Sequence, residues 1–141
     1  MLFPILPVRI HGVIDYVAGV FFIVSPWIFG YHYYGLPTAA AIFLGVVTLA
    51  YTLFTDYPPA PWRKIPVFIH LWFDVGVGLL MLLSPFLLGF AFIEHWPQIW
   101  MGLAEIGAAL ITVNPMSLYL RHMDAEAEAE QAHQHSRPGM A

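Results

Sequence analysis

Four long apolar stretches, separated by short polar segments, constrain this chain more than any other feature of its sequence. They cover approximately residues 10–30, 36–55, 67–90 and 96–116. A helix of roughly 20 residues, rising about 1.5 Å per residue, matches the roughly 30 Å hydrocarbon core of a bilayer. Because lipid offers the backbone no hydrogen-bond partners, such stretches must be helical. The sequence therefore predicts an all-α protein with four transmembrane helices.

The composition supports a membrane location and excludes several other classes. Only 10% of the 141 residues are charged and 60% are hydrophobic, whereas about a quarter of the residues in a soluble domain are charged. The sequence has no basic patch of the kind that would indicate a nucleic-acid partner. The absence of cysteine excludes disulfides, thiolate metal sites and cysteine nucleophiles. The first apolar stretch is longer than the hydrophobic region of a signal peptide, so we expect it to be retained as a membrane span.

Residues 11–30 recur as residues 70–89, which indicates a tandem duplication. The retained residues are polar or shape the backbone, and all keep an offset of 59: His11/His70, Asp15/Asp74, Gly19/Gly78, Ser25/Ser84, Pro26/Pro85 and Gly30/Gly89. We expect one helical hairpin over 1–56, a proline-rich linker over 57–66, a second hairpin over 67–117, and an acidic flexible tail over 118–141. Because each copy has two spans, both insert with the same orientation, related by a pseudo-two-fold axis along the membrane normal.

The basic residues predict the orientation in the membrane. All five lie outside the two hairpin loops: Arg9, Arg63, Lys64, Arg121 and Arg137. The positive-inside rule then places both termini and the linker in the cytoplasm, with both hairpin loops on the outer side. Aromatic side chains are expected at the two interfaces. Those assigned to the outer interface are Tyr31, Tyr33, Tyr34, Trp96 and Trp100, and those assigned to the inner one are Tyr57 and Trp62.

A histidine followed four residues later by an aspartate occurs near the start of each copy. His11 and Asp15 share one helix face, as do His70 and Asp74. Polar side chains avoid lipid, so we expect these four residues, here called the His/Asp quartet, to meet between spans 1 and 3. Three interpretations stay open: a structural network that fixes helix pairing, a site for a divalent metal or a haem, and a relay for protons or a gate for a small solute.

Glu105 is the other ionisable residue predicted to lie deep in the membrane, about nine residues into the fourth span. An offset of 60 between the second helices of the two copies makes Gly45 its equivalent. An ionised carboxylate at this depth is costly, so we expect either a neutral, hydrogen-bonded acid or part of a proton or cation path. The candidate hydrogen-bond partners are Thr48, Thr52 and Asp74.

Each copy also carries a Ser-Pro pair near the end of its first span. Pro26 and Pro85 remove a helical hydrogen bond, so each helix should kink or end there. The preceding Ser25 and Ser84 can bond back to the carbonyls that the prolines release. We expect this motif to shape the helix terminus.

With its second copy downstream, the Ser25-Pro26-Trp27 sequence resembles the SPW-repeat family of small prokaryotic integral membrane proteins. The resemblance covers approximately residues 10–55 and 69–115. The second copy departs from the pattern, because Ser84-Pro85-Phe86 has phenylalanine in place of tryptophan. The resemblance implies a multi-pass protein of the prokaryotic plasma (inner) membrane and no established activity.

From these features we expect a small structural or accessory membrane protein that packs with itself or with a larger membrane complex. The sequence lacks a hydrolase nucleophile motif, a phosphate-binding loop and a dinucleotide fingerprint, and its loops are too short for a catalytic domain. We therefore expect no enzymatic activity, no catalytic residues, and neither a cofactor nor a resident metal. The alternative is a cofactor- or ion-binding protein that uses the His/Asp quartet. The Ala/Glu stretch of the tail can extend the last span as an exposed helix.

Overall fold

The regular structure of the chain is helical, as predicted. The computed structural model describes residues 5–113 and 123–131. Its main helices are α1 (Val8–Ile28), α2 (Gly35–Phe54), α3 (Val67–Leu87) and α4 (Trp96–Ile111). A short, exposed helix covers 123–131, where the Ala/Glu stretch lies, and the rest of the predicted tail is outside the described residues. Within the described ranges no strand is present, only two isolated bridge pairs.

The helices have the length and surface of a membrane protein. By length and apolar composition, α1, α2 and α3 can each cross a membrane. The fourth helix has 16 residues; it begins at Trp96 as predicted but ends at Ile111, earlier than predicted, because the backbone becomes extended at Thr112. Large apolar side chains cover the outward faces of all four helices, among them Val13, Val17, Val20, Phe43, Val46, Trp72, Leu79, Trp100 and Leu103. Lipid is the environment that such a surface requires.

The two helices of each hairpin touch through their backbones at a pair of glycines. Packing is closest between α1 and α2, and between α3 and α4. A Cβ atom added to Gly45 would lie 2.7 Å from the carbonyl oxygen of Gly19, and one added to Gly102 would lie 2.5 Å from that of Gly78. Both distances are shorter than van der Waals contact, so only glycine fits at these crossings.

The glycine contacts correct the predicted alignment of the second helices. Gly45 and Gly102 occupy equivalent places, and so do Thr55 and Thr112, the residues that follow the last turns of α2 and α4. Both pairs have an offset of 57, which makes Thr48 the equivalent of Glu105. The predicted equivalence with Gly45 is wrong. Its offset of 60 aligned Pro37 with Pro97 and Thr52 with Thr112, but the connections before the two helices differ in length, and the structural equivalent of Thr112 is Thr55.

The ends of α1 and α3 are closed in the same way. Ser25 Oγ donates to the Phe22 carbonyl at 2.8 Å, and Ser84 Oγ donates to the Met81 carbonyl at 2.8 Å. Each carbonyl lies four residues before a proline, which has no N–H to bond it. Each helix then ends within one turn, and a glycine with positive φ follows: Gly30 (76°) and Gly89 (73°).

Two of the tyrosines assigned to the membrane interfaces are instead buried. Tyr31 and Tyr57 are each only 2% exposed, so their assignment as interfacial anchors is wrong. The Tyr31 hydroxyl shares a 2.8 Å hydrogen bond with Ser25 Oγ, which is why it turns inward. Phe90 is buried at the equivalent place in the second hairpin. The other aromatic residues assigned to the interfaces are exposed: Tyr33, Tyr34, Trp62, Trp96 and Trp100.

One end of the molecule gathers the start of α1 and α3 and the end of α2 and α4. Leu6 pairs with Thr112, and Thr55 pairs with Ile65, in two isolated bridges. The basic residues at this end are Arg9, Arg63 and Lys64. Arg121 and Arg137 lie outside the described residues. The linker therefore joins α2 to α3 at the same end of the molecule as the N-terminal segment.

Candidate functional site

The His/Asp quartet is assembled at the interface of the two hairpins. α1 contributes His11 and Asp15, and α3 contributes His70 and Asp74. Each residue is at most 1% exposed. One nitrogen or oxygen from each side chain lies within 4.8 Å of the other three. The structure thus brings together all four residues of the predicted quartet.

Within the quartet, each aspartate lies closest to the histidine of the other hairpin. The crosswise contacts are His11 Nε2 to Asp74 Oδ2 at 3.0 Å and His70 Nε2 to Asp15 Oδ2 at 2.9 Å. The contacts along each helix are longer, at 3.3 Å for His11 to Asp15 and 3.4 Å for His70 to Asp74. The imidazole rings meet nearly edge to face, with centroids 5.5 Å apart. The quartet therefore joins α1 to α3 and not only residues of one helix.

Two threonines orient the imidazole rings by contacting the nitrogen that faces away from the carboxylates. Thr55 Oγ1 lies 2.7 Å from His70 Nδ1, and Thr112 Oγ1 lies 2.8 Å from His11 Nδ1. Each threonine also donates to the backbone carbonyl four residues earlier, at 2.8 and 2.6 Å respectively. A hydroxyl has one hydrogen to donate, so each threonine must accept a hydrogen bond from its histidine. Both Nδ1 atoms therefore carry hydrogen, and both Nε2 atoms face the carboxylates.

This arrangement determines how many protons the centre of the quartet requires. Each short contact between Nε2 and Oδ2 needs one proton, whether it is assigned to the imidazole or to the carboxyl group. Two protons give the quartet a net charge of zero. A neutral, fully paired cluster is the form in which ionisable groups are tolerated away from water.

Tyr51 connects Glu105 to the quartet. Its hydroxyl donates to Asp74 Oδ1 at 2.7 Å and lies 3.2 Å from Glu105 Oε1. Glu105 is 4% exposed and lines a cavity of about 520 Å³ between α1 and α4. Because Tyr51 has a single phenolic hydrogen, it can donate to only one of the two carboxyl groups at a time.

The predicted threonine partners of Glu105 are wrong. In the described part of the chain, the hydroxyls of Thr48 and Thr52 have no hydrogen-bond partner. Asp74, the third candidate, connects to Glu105 through Tyr51 and not directly. The helix register explains the error, because Tyr51 is one turn from Thr48 and its long side chain reaches both carboxyl groups.

Three residues that form hydrogen bonds with the quartet were not predicted from the sequence: Thr55, Thr112 and Tyr51. The two threonines could have been found, because an offset of 57 pairs Gly45 with Gly102 and Thr55 with Thr112. Tyr51 has no such signal, since the corresponding residue of the second hairpin is Ala108.

The Ser-Pro-Trp motif lies apart from the quartet. Ser25 is ten residues beyond Asp15, or about 15 Å along the helix. Trp27 and Phe86, the third residues of the two motifs, are 55% and 58% exposed. The Trp27 ring stacks on His32, with centroids 6.1 Å apart. The motif therefore shapes the helix end and the adjacent surface, without contributing a side chain to the quartet.

Two buried tyrosines outside the spans have perturbed acidity. Burial raises the pKa of Tyr57 well above its usual range, and the nearby Asp15 carboxylate adds to the effect. The Tyr57 ring packs edge-on against His70, with centroids 5.4 Å apart. Burial also raises the pKa of Tyr31, with a smaller contribution from the Glu94 charge. Both hydroxyls thus stay protonated in the folded protein at pH values where exposed tyrosines ionise.

Comparison with known proteins identifies the repeat. A family model described as the SPW repeat domain matches residues 9–112. The matched segment runs from the first turn of α1 to Thr112, so it includes the quartet and both threonines that orient it. No curated protein and no solved structure matches the chain.

Proposed function

The chain belongs to the SPW repeat family, and from this premise we propose that it is a structural or accessory membrane protein whose two hairpins are held together by the His/Asp quartet. The observation that carries the proposal is the crosswise pairing of His11 with Asp74 and of His70 with Asp15. α1 and α3 approach each other less closely than the helices within a hairpin. The quartet therefore supplies contacts that backbone packing between these two helices does not.

The energetic basis is the cost of leaving polar groups unpaired in an apolar medium. A buried imidazole or carboxyl group without a partner destabilises a protein by about 1–3 kcal/mol or more. The native pairing of the hairpins gives each imidazole its shortest carboxylate contact and a threonine acceptor from the other hairpin. We infer that the quartet selects this pairing over sliding or separation of the hairpins, which is a known use of buried polar groups.

We further propose that all four helices span the inner membrane of a prokaryote as two tandem hairpins with parallel orientation. A helix of 16 residues is about 24 Å long, and a membrane can thin locally to match a short span. The basic residues Arg9, Arg63 and Lys64 support a cytoplasmic location for the termini and linker. The apolar outer faces would contact lipid, further copies of the chain, or helices of a larger complex.

We propose no enzymatic activity. Within the described residues, the connections between helices are limited to 29–34, 55–66 and 88–95. These segments are too short to form a separate catalytic domain. The ionisable side chains buried in the helices bond to one another and to Tyr51, which supports a role in assembly.

Two assays test the structural role: unfolding in detergent and proton conduction after reconstitution into liposomes. His70→Gln should lower the midpoint of unfolding in detergent, and the wild-type protein should conduct no protons in a pH-dye assay under an imposed gradient. His32→Gln is the matched control, because it makes the same replacement at a histidine in the first hairpin loop, away from the quartet, and it should unfold at the wild-type midpoint. If His70→Gln unfolded at the same midpoint as wild type, the quartet would not stabilise the fold and the proposal would be refuted.

Proton transfer is a second candidate, favoured by one observation. Tyr51 bridges Glu105, on the cavity between α1 and α4, and Asp74, in the quartet. These hydrogen bonds form a continuous path from the cavity wall to His11. Proton flux in liposomes that is abolished by both Glu105→Gln and Tyr51→Phe would support this function. The structural role predicts no such flux.

The structure gives no support to a haem between the histidines. Both Nε2 atoms contact the same two carboxylate oxygens, at 2.9–3.4 Å. A porphyrin would have to separate the imidazoles from both aspartates. It would also remove the crosswise contacts on which the hairpin interface depends.

A further inference from the structure

We propose that the His/Asp quartet is a closed binding site for one divalent transition-metal ion of the zinc type. The ligands would be Nε2 of His11 and His70 and Oδ2 of Asp15 and Asp74. This inference goes beyond the structural role, because protons alone are sufficient to pair the four side chains.

The first argument is the size of the site. Neighbouring nitrogen and oxygen atoms around the quartet are 2.9–3.4 Å apart. Four atoms at that spacing surround a common centre at about 1.9–2.2 Å, depending on whether they form a tetrahedron or a square. Zinc binds imidazole nitrogen and carboxylate oxygen at about 2.0–2.2 Å. An ion of this size therefore fits without displacement of the helices.

The second argument is the orientation of the ligands by groups outside the quartet. Metal-binding histidines usually donate their other ring N–H to a fixed acceptor, which aims the free nitrogen at the ion. Thr55 and Thr112 provide those acceptors at 2.7 and 2.8 Å. Tyr51 likewise bonds the outer oxygen of Asp74 at 2.7 Å and leaves the inner oxygen toward the centre. These three residues fix the ligand side chains from outside the quartet, as outer hydrogen-bond partners do at metal sites.

The third argument is charge. With neutral imidazoles, the two carboxylates give the quartet a charge of −2, which one divalent ion cancels. Binding would exchange the two central protons for one ion and leave the buried site neutral. Two nitrogen and two oxygen donors favour zinc, cobalt, nickel or copper over magnesium and calcium, which prefer oxygen ligands alone. Because the four residues are at most 1% exposed, the ion would be structural, with no position open to substrate.

Cobalt(II) titration of the purified full-length protein in detergent tests this site, because cobalt replaces zinc and absorbs visible light when bound. We expect one cobalt ion per chain, with ligand-field absorption that zinc abolishes by displacement. Asp15→Asn should remove the absorption. Thr112→Val, which leaves all four ligands in place, should weaken cobalt affinity by about 10–100-fold. The double variant His133→Gln/His135→Gln removes the tail histidines and should bind cobalt like wild type.

The wild-type measurement alone can overturn the proposal. Absence of ligand-field absorption, or binding that disappears with the tail histidines, would show that the quartet holds only protons. This result would leave the structural role intact, because that role is judged by the unfolding of His70→Gln in the absence of metal. If Asp15→Asn does not fold, Thr112→Val and the tail variant still separate binding at the quartet from binding elsewhere.

Discussion

Replacement of Gly102 by alanine should disrupt the second hairpin, whereas the same replacement at Gly107 should not. A Cβ atom at Gly102 would lie 2.5 Å from the Gly78 carbonyl oxygen and 2.8 Å from the Leu82 nitrogen. Ordinary contacts are about 3.5 Å or longer, so α3 and α4 must separate by about 1 Å. Overpacking of this kind costs about 1–3 kcal/mol. At Gly107 an added Cβ meets no atom within 4 Å, and alanine gains up to about 1 kcal/mol of helix propensity.

The assay is equilibrium unfolding in mixed micelles of a mild detergent and dodecyl sulfate, followed by circular dichroism. We expect Gly102→Ala to unfold at lower dodecyl sulfate than wild type, and Gly107→Ala at the same or a higher concentration. Both variants gain the same helix propensity, so they should differ in free energy of unfolding by the overpacking cost of about 1–3 kcal/mol. Equal unfolding midpoints would show that the helices do not touch at this glycine, which would refute the close crossing of α3 and α4.

Three further predictions concern tyrosines and topology. Tyr51→Phe should lower the free energy of unfolding by about 1–3 kcal/mol, because Asp74 loses its buried hydrogen-bond donor. In the control variant Tyr16→Phe, unfolded in parallel, the free energy of unfolding should change by less than about 0.5 kcal/mol. The pKa of Tyr57 is raised in the folded state, so the unfolded chain loses the phenolic proton first as pH rises above about 10. The free energy of unfolding should therefore fall above this pH, and it should fall less steeply in Tyr57→Phe. A cysteine at position 33 in spheroplasts should react with an impermeant maleimide and one at position 63 should not, and the opposite pattern would contradict the proposed topology.

The repeat was sufficient to predict which polar residues meet. Residues that survive duplication at a constant offset of 59 include both histidines and both aspartates. Polar groups in an apolar helix must find one another, so their burial followed from the physics of the bilayer. The crosswise pairing was not predictable, because the crosswise contacts at 2.9 and 3.0 Å differ only slightly from those within each helix at 3.3 and 3.4 Å, and such differences depend on side-chain rotamers.

The second helices show where inference from the sequence failed. Two pairs, Pro37 with Pro97 and Thr52 with Thr112, suggested an offset of 60, whereas the packed positions follow 57. Prolines near a helix start report where the connection ends, and the two connections differ in length. Glycines and threonines at packed positions report the helix crossing itself. An alignment based on Gly45 and Gly102 would have identified Thr48, and not Gly45, as the equivalent of Glu105.

Tyr51 could not have been predicted from the repeat. It contacts Asp74 and Glu105, yet its equivalent in the second hairpin is Ala108. Thr48 and Glu105 differ in the same way. The acid and its hydroxyl partner therefore break the symmetry of the two hairpins, and only their distance in the fold shows that they are partners.

The most direct test of the quartet is a double-mutant cycle on His11→Gln and Asp74→Asn, measured by unfolding in mixed micelles. The two residues lie in different hairpins and contact at 3.0 Å. We predict an interaction free energy of about 1–3 kcal/mol, and near-zero coupling for the control cycle of His11→Gln with Glu94→Gln, an acid in the loop at the opposite end of the helices. Additivity within about 0.5 kcal/mol for the first cycle would contradict the claim that the quartet joins the two hairpins.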